Sequence, residues 1–140
     1  MPLLIQVSKG LLTPEGEREV YPRMAAALLK VHGLTGNTFM TPIVIGHIHV
    51  YPEEHSYVDG KSQSLAVIEV KAPALTFPTQ DVSDAFVKEA TNIVHEYRAG
   101  SHPRERTFVN VVYAVDGTWG IGGKAFTNEA LGAAIQAATR

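Results

Sequence analysis

Apolar and polar residues alternate through Leu3-Leu4-Ile5-Gln6-Val7-Ser8. Similar stretches return at Ile43–Tyr51, Leu65–Lys71 and Thr107–Val115. A two-residue period sends alternate side chains to opposite faces, so these four segments are predicted as strands. Between the first and second the period changes. Val20, Met24, Ala27, Leu28 and Val31 recur at helical spacing, after Thr13-Pro14 and before Gly33. A threonine cap, proline at the first helical position and a terminal glycine bound a helix there. Pro22 lies inside it and is expected to kink it or delay its regular start. Between the third and fourth strands, Pro78-Thr79 opens a second helix carrying Val82, Phe86, Ala90, Ile93, Val94 and Tyr97, with Gly100 expected to close it.

The order strand–helix–strand therefore occurs twice. Aligning Ile5 with Ile68 also aligns Val7 with Val70, Val31 with Val94, His32 with His95 and His47 with Asn110. The pattern reads as a duplicated β-α-β unit, with helical crossovers making the two strands of each unit parallel. The expected fold is α/β: a single domain over 1–140, with units at about 1–64 and 65–126 and a C-terminal helix over 127–140. Tyr51–Ser64 is polar and turn-rich and reads as a hairpin or arm.

The two strand faces differ. Leu3/Ile5/Val7, Val44/Ile48/Val50, Ala66/Ile68/Val70 and Val109/Val111 form an apolar face that should carry both helices. The opposite face mixes Gln6, His47, His49, Glu69, Lys71 and Asn110 with Ile43, Ile45, Leu65, Val67 and Phe108. A bare sheet face with that much apolar surface points to cover by further subunits.

Composition narrows the functional classes. The 140 residues are 45% hydrophobic and 19% charged, which is globular rather than disordered. A net charge of −2 without a basic run argues against nucleic acid as a partner. The absence of cysteine excludes disulfides, thiol catalysis and cysteine-ligated zinc. No signal-peptide pattern and no apolar run long enough to span a bilayer occur, so a cytoplasmic protein without membrane partners is expected.

Met1-Pro2 at the head of a strand carries the most specific chemistry. Methionine is readily removed before a small residue. Pro2 would then supply a free secondary amine. An α-amino group titrates near ~8, and burial lowers that value toward neutrality. An amine so tuned serves as a general base.

A proline directly after methionine, in this doubled layout, resembles the tautomerase superfamily, which includes 4-oxalocrotonate tautomerase (4-OT), cis-3-chloroacrylic acid dehalogenase and macrophage migration inhibitory factor. Val7-Ser8-Lys9-Gly10-Leu11-Leu12-Thr13-Pro14, Val31-His32-Gly33-Leu34-Thr35-Gly36 and Trp119-Gly120-Ile121-Gly122-Gly123 carry the likeness. The resemblance implies a trimer with sheets facing inward and a catalytic amine on Pro2. It implies substrate-binding roles for His32 and Asn110, and an apolar wall of Trp119 and Phe108. The family's carboxylate-gripping arginines are missing. Leu11-Leu12 and Ala72-Pro73-Ala74-Leu75 stand at those places, leaving Lys71 or Lys9 as substitutes without arginine's bidentate fork. Asp116 is the only acid in 116–121 and is wrongly spaced to activate water. Hydrolytic dehalogenation and strongly dianionic substrates are therefore not expected.

A rival signal is His47-Ile48-His49 with Glu53 and Gly60, which fits the first metal motif of cupins. The helices, the missing leading glycine at Thr41 and the lack of a second motif count against it. His32 before Gly33 also reads as an ordinary helix terminus. The overall expectation is a cofactor-independent tautomerase acting on small carbonyl or enol acids, aromatic pyruvates among them. Two alternatives stand beside it: a decarboxylase or hydratase of the same fold using protonated Pro2 as the acid, and a trimeric binding protein with vestigial tautomerase activity.

Overall fold

The computed structural model describes residues 1–138, so the last two positions of the C-terminal helix expected over 127–140 lie outside the described residues. Among the described residues, eight strands occur in chain order: β1 (Pro2–Ser8), β2 (Ile45–Tyr51), β3 (Tyr57–Val58), β4 (Lys61–Ser62), β5 (Ala66–Pro73), β6 (Thr107–Ala114), β7 (Trp119–Ile121) and β8 (Lys124–Phe126). Three α-helices accompany them: α1 (Pro14–Val31), α2 (Gln80–Glu96) and α3 (Asn128–Ala137).

The long strands form one four-stranded sheet in the order β2-β1-β5-β6. The pairs β1/β2 and β5/β6 are parallel, as helical crossovers require, and β1/β5 at the centre is antiparallel. Leu3, Ile5 and Val7 of β1 and Ala66, Ile68 and Val70 of β5 are buried on one face. They join one core with Val20, Met24 and Leu28 of α1 and Phe86, Ala90 and Val94 of α2. Burying a side chain of this size contributes roughly 1.5–3 kcal/mol, so this layer dominates folding.

The other face is left open by its own chain. Ile45 is 56% exposed, Phe108 49% and Val112 43%, beside exposed His47, His49 and Asn110. The mixed face read from the strand pattern is thus present, with one change. Thr41–Ile43 is a 3₁₀ turn and β2 starts at Ile45, so Ile43 belongs to the chain entering the sheet rather than to the sheet face.

Helix ends follow local chemistry. The Thr13 hydroxyl accepts from the Gly16 amide at 3.0 Å, and Gly33 takes a left-handed φ of +66° beyond α1. Two expectations need correction. Pro22 does not delay the start of α1, which is helical from Pro14 over 18 residues. Pro22 is exposed, so water can take the carbonyl that its missing N–H frees. Gly100 does not cap α2 either. That helix ends at Glu96, where Arg98 Nη1 donates to the His95 carbonyl at 2.7 Å, and Gly100 does not have a positive φ.

The polar segment after β2 contains the expected hairpin, β3/β4, turning at Asp59-Gly60. The glycine-rich run forms a second hairpin, β7/β8, turning at Gly122-Gly123. Both residues of each turn have positive φ, which matches the right-handed twist of the flanking strands. Helix α3 docks through buried Leu131 and through the Asn37 side chain, whose Nδ2 donates to the Ile135 carbonyl at 3.1 Å.

Candidate active site

Pro2 begins β1, a position where a strand tolerates a residue without N–H. Parallel pairing with β2 sets it opposite Ile45. Antiparallel pairing sets Leu3 opposite Val70, so Lys71 is the next residue along β5 at the Pro2 end. After β6 the chain turns at 115–118, with the Thr118 amide donating to the Val115 carbonyl at 3.0 Å. It then enters the β7/β8 hairpin. Trp119 is buried there, with its ring 6.4 Å from that of Phe126.

These connections enclose a cleft of about 530 Å³. It is lined by Met1 and Pro2, by Pro42, Ile43 and Ile45 where the chain enters β2, and by Trp119, Gly120, Ile121 and Gly122 of the β7/β8 hairpin. Among the described residues, Lys71 is the one ionisable side chain lining it, and Thr118 supplies a hydroxyl. The Lys71 ammonium has Glu69 Oε1 at 3.7 Å, an exposed pair of small energetic weight.

With methionine present, the terminal amine is that of Met1. It donates to the Ile43 carbonyl, and the Met1 side chain is buried. Desolvation lowers this amine from 8.0 to about 5. The Met1 amine is therefore neutral at neutral pH. In this form the Pro2 nitrogen is an amide and has no basicity.

Pro2, Lys71 and Trp119 are thus brought together, while the other three sequence candidates do not line this cleft. Asn110 sits on the open sheet face opposite Glu69, and Phe108 opposite Val67, further from the Pro2 end. His32 follows α1 as its C-cap residue. Its Nδ1 lies 2.6 Å from the Leu28 carbonyl, and its ring packs edge-on to Phe77 at 4.7 Å. It lines a separate cavity of about 280 Å³ with Leu34, Leu75 and Ile135. The helix-terminus reading therefore describes its contacts.

Sequence reasoning missed Pro42, Ala114 and Thr118. A signal existed for Pro42: two parallel strands start at the same sheet end, so the residues leading into the second must flank Pro2. Among the described residues, no group of three or more His, Cys, Asp or Glu is placed to hold a metal. His47 and His49 lie on the open face with ring centroids 5.6 Å apart, whereas Glu53 lines a different cleft with Lys9 and His102.

Solved structures share this architecture. A fused 4-OT wild type symmetric trimer matches with a TM-score of 0.75 at 15% identity, over 94% of this chain and 99% of its own. Macrophage migration inhibitory factor of Toxoplasma gondii gives 0.68 at 13% identity, over 90% of this chain and 100% of its own. A malonate semialdehyde decarboxylase inhibited by 3-bromopropiolate gives 0.65 at 13% identity, over 87% and 89%. No protein-family model matches the sequence, and no curated protein sequence does. The chain has the fold of these structures, as its sequence resemblance implied. No helix among the described residues is long and apolar enough to cross a membrane.

Proposed function

We propose that this chain is a cofactor-independent tautomerase of the superfamily its sequence resembles, acting after Met1 is removed. The freed Pro2 amine takes a proton from the enol hydroxyl or carbon of a small acid and returns it elsewhere on the same molecule. The observation that carries this reading is the cleft itself: Pro2 and Lys71 line one mostly apolar cleft, beside a chain terminus where burial depresses the Met1 amine. Lys71 grips the substrate carboxylate, Trp119 and Ile121 pack its apolar body, and Thr118 with nearby backbone amides meets the developing enolate oxygen. One cation suits a monocarboxylate better than a dicarboxylate. A 3-aryl enolpyruvate fits that description, and ketonisation of phenylenolpyruvate is the assay of choice.

Lys71→Ala should raise KM by ~10–100-fold, the worth of one charge-assisted hydrogen bond, with a smaller change in kcat. Lys71→Arg should recover most of the loss. An unchanged KM in Lys71→Ala would remove the lysine from substrate binding.

The assembly belongs to the same proposal. Ile45, Phe108 and Val112 on the open face need cover, and the fused 4-OT of the same fold is a trimer. A homotrimer with these faces turned inward supplies it. Light scattering at micromolar concentration should give three times the chain mass, and a stable monomer would contradict the arrangement.

A further inference from the structure

At the sheet end away from Pro2, two histidines meet in a corner that the proposed chemistry does not use. His102 is 5% exposed. Its Nδ1 lies 3.3 Å from the Ser64 hydroxyl, just before β5, and its Nε2 lies 2.9 Å from the Thr107 hydroxyl, at the start of β6. His95, on the last turn of α2, has its ring centroid 5.9 Å from that of His102. Arg98 Nη1 is 3.1 Å from His95 Nδ1 and donates to the His95 carbonyl at 2.7 Å. A guanidinium only donates, so Nδ1 must offer its lone pair and His95 must be neutral. Its Nε2 is buried and has no partner.

The surrounding charges deepen this requirement. Arg98 comes from the end of α2, and Arg104 and Arg106 come from the turn before β6, with Glu105 the one acid of that turn. Lys9 and Glu53 line the cleft beside His102. Among the described residues neither imidazole has a carboxylate within ion-pair distance. The same corner ties the end of α2 to the β1–α1 connection: the Ala99 amide donates to the Leu11 carbonyl at 2.8 Å, and the Thr13 amide donates to the Tyr97 carbonyl at 2.9 Å.

We propose that the His95–His102 corner is an acid-sensitive latch, in which protonation of His95 expels Arg98 and frees the end of α2 from the β1–α1 connection and from the starts of β5 and β6. Burial and the flanking arginines depress both imidazoles below the usual histidine value of 6.5. The sign follows. Below that value the unfolded chain binds more protons than the folded one, so stability is full at neutral pH and falls as the pH drops. The terminal amine responds over an overlapping range, but it is common to parent and variants and cancels in their difference.

Melting temperatures of the full chain at about pH 7.5 and about pH 5 test the latch. The drop on acidification should shrink by roughly a third or more in both His95→Gln and His102→Gln, and an undiminished drop in both would overturn it. Proton NMR on the parent guards against variants that fail to fold. Both imidazoles should titrate below ~6.5, and Arg98→Ala should move His95 upward. A His95 titration unmoved by Arg98→Ala would refute the role of that contact. Amide exchange at about pH 5, corrected for intrinsic rates, should quicken at 97–99 and 107–109 more than at 3–5. Uniform quickening would mean global loosening and no latch.

Discussion

Replacing Pro2 with alanine should cut turnover of an enol acid by ~10²–10⁴-fold, the range a positioned general base contributes. The substitution keeps an amine at the same place but makes it primary, with a different basicity and a freer geometry. Binding should change less, because Lys71 and the apolar walls remain. The pH dependence carries a sign. An amine acting as base works only when neutral, so the rate should rise with pH through the amine's pKa and then level. That pKa should fall below the ordinary ~8, because Pro2 lines the same partly apolar cleft beside the Met1 amine that burial depresses. A rate that falls across this range would assign Pro2 the acid role of a decarboxylase or hydratase. Equal turnover by Pro2→Ala and the parent would take Pro2 out of the mechanism.

The second large effect is structural. Gly46 pairs with Leu3 where β1 and β2 begin, and its φ is +155°. A Cβ there would lie 1.7 Å from the Leu3 carbonyl oxygen and 2.7 Å from its carbon. Backbone cannot yield as a flexible side chain does, so the two strands must part at the end that carries Pro2. Gly46→Ala should therefore cost on the order of 4 kcal/mol, within the range of severe backbone strain, and should abolish turnover even where some folded protein survives. Gly120→Ala is a useful control from the cleft lining, because the nearest atom to its added Cβ is 3.9 Å away. A Gly46→Ala protein that melts like the parent would show that β2 does not have to approach β1 this closely.

The parts of this protein that were readable in sequence are those governed by local period and local caps. Leu3/Ile5/Val7 and Ala66/Ile68/Val70 announce a buried strand face because alternation has one physical meaning on a sheet. Thr13 and Thr79 announce helix starts because a hydroxyl at that place satisfies an otherwise unpaired amide. Boundaries were less legible. The apolar run Ile43–Ile48 reads as continuous strand, yet β2 begins only at Ile45, after a 3₁₀ turn. His32 shows a deeper ambiguity. A histidine before glycine at a helix end has the same sequence whether it faces a substrate or its own helix, and only tertiary contacts with Leu28 and Phe77 distinguish the two. Lys71 became a cleft residue through β1/β5 pairing, a long-range register that no local pattern encodes.

The account rests on an amine that exists only if methionine leaves. Retained Met1 makes the Pro2 nitrogen an amide and keeps its own buried side chain in the cleft lining. The intact mass of the purified protein, measured on the same sample that turns over an enol acid, tests this directly. The account requires a mass short by one methionine residue, with Pro2 as the first residue. An active sample whose mass includes Met1 would contradict it.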